Sequence, residues 1–186
     1  MKNIINKKIN NHKKRFISTF IGSIIYLNII MSILGIGQYN VYIMSYFHYF
    51  NEKINLQLGN LMMPFLMLFL SLSSPLGGIF ENKIGMHLTL IISSILIELL
   101  VFLFIIQKNI YITFLIIISF GICIGTSITI PRKNICLYYP EKKGMLMGLL
   151  TSIIMVFLSI ISVIGEKIIN PNKIVLKEGE TYYHFD

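Results

Sequence analysis

Tryptophan and alanine are absent from this chain of 186 residues, and arginine nearly so, with 2 Arg against 14 Lys. Isoleucine, by contrast, occurs 39 times. That skew follows the codon bias of an AT-rich genome, so Ile in place of Ala and Lys in place of Arg carry little functional meaning. Charge is scarce as well. Charged residues make up 13% of the chain and hydrophobic ones 55%, where an ordinary water-soluble domain has ~25% and ~45–50%. With a mean hydropathy of +0.74, this composition excludes an ordinary cytosolic enzyme and makes a multi-span membrane protein the expectation. The two cysteines, Cys123 and Cys136, lie in or beside apolar stretches without metal-ligand spacing. They read as buried free thiols, and they say nothing about redox compartment. The apolar runs show no dyad alternation and far exceed the ~10 residues of a transmembrane strand, which excludes a membrane β-barrel. The first run exceeds the ~7–15-residue core of a signal peptide and has no small-residue cleavage site.

What is present is a set of five apolar stretches long enough to cross a bilayer, which takes about 20 residues. They run from Phe16 to about Phe47, Leu56 to Phe80, Met86 to Ile106, Ile110 to between Ile130 and Leu137, and Met145 to Ile164. The first is too long for one straight span, and Gly35 and Gly37 predict a bend or tight packing in its distal third. The second contains Pro64 and Pro75. Turn and charge signals separate the spans: Asn51-Glu52-Lys53, Glu81-Asn82-Lys83, Gln107-Lys108-Asn109, and Tyr139 to Gly144. The expected organisation is therefore a basic cytoplasmic tail over 1–15, rich in Lys and Asn and expected to be disordered, a bundle of five helices over 16–165, and over 166–186 an extracytoplasmic tail or a linker to a missing sixth helix.

Orientation follows from Lys and Arg in the short loops. With the N-terminus inside, the inner segments carry Lys2, Lys7, Lys8, Lys13, Lys14, Arg15, Lys83, Arg132, Lys133, Lys142 and Lys143, while the outer loops before the tail carry Lys53 and Lys108. That is 11 against 2. The net charge of +8 then reports topology and contact with an anionic inner leaflet. No nucleic-acid motif and no interleaving of basic and aromatic residues supports a nucleic-acid partner; the bilayer is the expected one.

Two loop motifs stand out. From Gly78 the segment Gly-Ile-Phe-Glu-Asn-Lys-Ile-Gly fits Gly-x-x-x-(Asp/Asn)-(Arg/Lys)-x-Gly, with Gly78, Asn82, Lys83 and Gly85 at the defined positions. Here Gly78 would let two helices approach, Asn82 would cap the next helix, Lys83 would stay on the cytoplasmic face, and Gly85 would permit a positive-φ turn. The fourth span holds Gly121-x-x-x-Gly125 and Pro131, followed by Tyr138-Tyr139-Pro140-Glu141-Lys142-Lys143-Gly144 and Gly148. Gly144 and Gly148 form a small-xxx-small face suited to helix packing. The first span ends in Gly35-x-Gly37-Gln38-Tyr39-x-x-Tyr42.

Together, over about Leu27 to Pro171, these features resemble the N-terminal half of a major facilitator superfamily transporter. Within it, they are similar to the oxalate:formate antiporter and monocarboxylate porter branch. Asn82 stands at the usually acidic position of the loop signature, and Met86-His87 replace its trailing basic pair. The resemblance implies twelve helices in two six-helix halves, of which five are seen here, so that a C-terminal half is expected as a missing partner. It also implies movement of a small organic anion, such as a monocarboxylate, with or against protons. The alternative is a non-transporting membrane subunit or an inert truncated remnant.

Two charges fall within apolar sequence, and an intramembrane charge is a functional candidate by default. Glu98 lies about 12 residues, ~18 Å, into the third span, and Arg132 about six residues, ~9 Å, above Tyr138. Arg132 reads either as a cation attracting an anionic substrate or as a snorkelling interface cation; Glu98 reads as a proton relay, an Arg132 partner or a protonated structural group. With Gln38, Tyr39 and Tyr42 they are the substrate-path candidates, and Gly121 and Gly125 border the same path. His48, among Tyr46, Tyr49 and Phe50, reads as part of an aromatic belt. No catalytic, metal or cofactor signature occurs, so neither an enzyme nor a cofactor is expected.

Overall fold

The computed structural model describes residues 2–50 and 56–171, with side chains from 13 to 50 and from 57 onward. All regular structure among them is helical. The first span is α1 (Lys2–Leu34), a 3₁₀ segment (Gly35–Tyr39) and α2 (Asn40–Phe50); the others are α3 (Leu56–Ile84), α4 (Met86–Ile106), α5 (Ile110–Tyr138) and α6 (Lys143–Ile169), with a short 3₁₀ turn at Pro140–Lys142 before α6. Five helical segments are long and apolar enough to cross a membrane. This is an all-α membrane protein by length and composition.

The span boundaries follow hydropathy closely, and α4 begins and ends where the apolar run does. The break expected at Gly35 and Gly37 is the 3₁₀ segment. Three expectations change. The basic segment is not disordered: α1 begins at Lys2 and continues into the span. Lys is a good helix former, and extending an existing helix is far easier than starting one. The last span reaches Ile169, so the tail is shorter than 166–186. Asn82 does not cap α4, because α3 runs through it to Ile84 and Gly85 takes the cap position without a side-chain bond. The loop at 51–55, with Lys53, and the tail from 172 lie outside the described residues.

Helix α5 is the axis of the bundle. Its buried residues include Thr113, Ile117, Phe120, Ile124, Ile128 and Ile135, spread along its whole length. It packs most closely against α3, then against α4 and α1; α6 touches mainly α1. In a bilayer there is no hydrophobic drive between helices, so close packing needs small residues. The seam between α3 and α5 supplies them. A Cβ at Gly121 would lie 2.7 Å from the Leu66 carbonyl oxygen, and one at Gly125 would strike the Leu70 carbonyl and the Ser73 hydroxyl. From the other side, a Cβ at Gly77 would strike the Thr126 carbonyl. Ser73 Oγ donates across the seam to the Gly121 carbonyl at 3.3 Å. The exposed surface is correspondingly apolar, as Leu72, Ile91, Leu99 and Phe102 show.

Candidate functional site

The two ends of the bundle differ in chemistry. At one end Phe16 packs against Tyr138 and Tyr139, with ring centroids 5.8 and 4.8 Å away, and Lys133 Nζ donates to both carboxylate oxygens of Glu81 at 3.0 Å. Lys83, Arg132, Lys142 and Lys143 belong to this basic end. At the opposite end Lys108 Nζ sits 5.1 Å over the Phe50 ring, within the aromatic cluster of Tyr46, Phe47, Tyr49 and Phe50 on the same helical turns as His48. The Glu81–Lys133 pair joins α3 to α5. Its two residues were separate loop and span charges in the sequence, 52 positions apart, and nothing short of the fold links them.

At the basic end the turn between α3 and α4 is a single residue. Gly85 has φ 88° and ψ 157°, a region open in practice to glycine alone. The positive-φ expectation for Gly85 is met. The close-approach expectation moves by one residue: a Cβ at Gly78 would meet nothing within 4 Å, whereas Gly77 faces the Thr126 backbone. Lys83 is exposed. Gly144 and Gly148 likewise meet nothing within 4 Å among the described residues, so the packing expected of them is not made there.

The substrate-path candidates are not brought together. Gln38 is exposed. Tyr39 donates its hydroxyl toward the carbonyls of Ile161 and Ser162 on α6 at 3.4 and 3.2 Å, and Tyr42 Oη accepts from Asn170 Nδ2 at 3.3 Å. Tyr39 and Tyr42 also border a cavity of about 350 Å³ with Ile43, Phe104, Gln107 and Ile169. Arg132 is at the other end, roughly 30 Å away along α5. It lines a separate cavity of about 460 Å³ with Lys133, Lys143, Cys136 and Met147, and its Nε is buried without a hydrogen-bond partner.

Glu98 does not pair with Arg132. The packed face of α4 carries Thr89, Ser93 and Ile97, and one step further round Glu98 is exposed. The ~18 Å and ~9 Å heights also keep the two groups apart.

The bundle interior holds a row of polar groups that the sequence reading did not single out. Ser23, Asn28, Ser127 and Ser93 are buried, and the Tyr26 hydroxyl lies beside Ser94 and Ser127. Asn28 Oδ1 is buried without a hydrogen-bond partner and borders an otherwise apolar cavity of about 440 Å³ between α1 and α6. Asn28 was the findable member, an amide inside an apolar run. Serines bond to their own helix, as Ser127 does to Cys123 and Ile124, and so leave little trace in a sequence. Cys123 and Cys136 are free, the first half-buried and the second buried.

No family model, no characterised protein and no solved structure matches the chain.

Proposed function

We propose that the chain is part of a secondary transporter of the facilitator type. It would move a small organic anion of the monocarboxylate class by alternating access, with two helical bundles rocking about a site near the midplane. The observation that carries this reading is the joint between α3, α4 and α5 at the basic end. There three contacts hold the corner, the glycine-only turn at Gly85, the Gly77–Thr126 approach and the Glu81–Lys133 pair, of which Gly85 belongs to the defined positions of the loop motif. A rocking bundle needs a stiff corner of this kind, so that helices move as a body. Near the midplane, Asn28 and Tyr26 of the first span and Ser127 of the fourth supply polar groups on the two helices proposed to line the path. None of them is charged. In this reading the groups that hold the anion come largely from a second half.

Two measurements test the proposal. The transcript, read beyond codon 186, should continue in frame into a second set of spans; a stop codon there overturns the two-bundle reading in favour of a non-transporting subunit. Vesicles holding the full gene product should take up radiolabelled lactate or formate, faster when a pH gradient is imposed. Gly85→Leu should abolish uptake, while Gly144→Leu should not. Equal tolerance at both positions removes the support that the corner gives.

A further inference from the structure

We infer that the cavity between α5 and α6 at the basic end binds the phosphate group of an anionic membrane lipid. Three cations line it, Arg132, Lys133 and Lys143. Lys133 is already shared with Glu81. Arg132 and Lys143 remain, no carboxylate is among the described lining residues, and Arg132 Nε is buried with its N–H unanswered. A buried guanidinium donor without an acceptor is costly, and an anion in the cavity would supply the acceptor.

Position points to a lipid as the source of that anion. Lys143 opens α6 and Arg132 lies roughly 9 Å above the end of α5, so the two cations bracket the depth where headgroups meet hydrocarbon. Basic pockets between helices at such a depth recognise anionic headgroups, each cation near the surface contributing about 1 kcal/mol. The described lining comes from α5, α6 and the turn joining them, and of these residues Leu137 is 66% exposed. Free phosphate would use the cations but not the apolar wall of Leu137 and Met147. The inference does not depend on transport.

The test is native mass spectrometry of the full chain released from an uncharged detergent. Dioleoyl phosphatidic acid should be retained one per chain, and dioleoyl phosphatidylcholine should not. Lys143→Gln and Arg132→Gln should each weaken retention about fivefold, and Lys83→Gln, which removes an equal charge from the same end, should leave it unchanged. Equal loss in Lys83→Gln, or equal retention of phosphatidylcholine, overturns the site. Glycerol 3-phosphate at matched concentration should not displace the lipid; displacement would make the ligand a soluble phosphate and overturn the lipid assignment. Lys143 is exposed, so its variant keeps the test decisive where Arg132→Gln fails to fold. Lactate competing at matched concentration would assign the cavity to substrate instead and overturn the inference.

Discussion

Neighbouring glycines separate at the residue scale. Gly77 and Gly78 are indistinguishable in sequence, yet only Gly77 faces α5, where an added Cβ would strike the Thr126 backbone carbonyl. That atom belongs to a helix and has no flexible end to move aside. Gly77→Ala should therefore destabilise the bundle by about 1–3 kcal/mol, the usual cost of overpacking. At Gly78 the space is open, and replacing glycine inside a helix should be neutral or stabilise by about 0.5–1 kcal/mol. Unfolding of the two variants in detergent, followed by circular dichroism, checks the order. If Gly78→Ala proved the more damaging, the register of α3 against α5 would be wrong by one residue.

At the scale of elements, α6 depends on few attachments. It contributes only Leu146, Leu150 and Ile154 as buried residues, and at the end away from the basic cluster the Tyr39 hydroxyl bonds to its Ile161 and Ser162 carbonyls. Tyr39 also packs on Gly165, where a Cβ would strike the hydroxyl. Tyr39→Phe keeps the ring and removes the donor, a loss of about 0.5–1.5 kcal/mol. Amides in the last three turns of α6 should then exchange about 2- to 10-fold faster, with those of α5 unchanged. Unaltered exchange in α6 would mean that the tyrosine only fills space. This tether also marks what the sequence could and could not show. Span boundaries were legible because hydropathy drops sharply at Lys83, Lys108 and Lys142. Helix faces were not, because a run such as Met86–Ile106 is apolar all round and has no polar face from which to read direction. Glu98 could be given a height for that reason, but no side. Tyr39 was likewise recognised as a candidate, while its partners on α6, over 120 positions away, could not be read from sequence.

For the whole molecule, the separation of charge predicts an orientation. The structure puts Lys83, Lys133, Lys142 and Lys143 at the end where Phe16 meets Tyr138 and Tyr139, and Lys108 at the other, over Phe50. For the described residues, the charge difference expected from the sequence is thus a difference between the two ends of one bundle. Each cation moved against a membrane potential costs about 2.3 kcal/mol per 100 mV, and the anionic inner leaflet adds attraction in the same sense. The basic end should therefore face the cytoplasm. Two exposed lysines at opposite ends, Lys108 and Lys142, provide the measurement. In a background with Cys123→Ser and Cys136→Ser, an impermeant maleimide applied to intact cells carrying the chain in the plasma membrane should label Lys108→Cys. Lys142→Cys should react only after permeabilisation. The opposite pattern would invert the topology, place Arg132 and Lys143 against the outer leaflet, and remove the anionic surface that the α5–α6 cavity needs; labelling of both sites in intact cells would mean that the chain inserts in two orientations and that the charge difference does not control insertion.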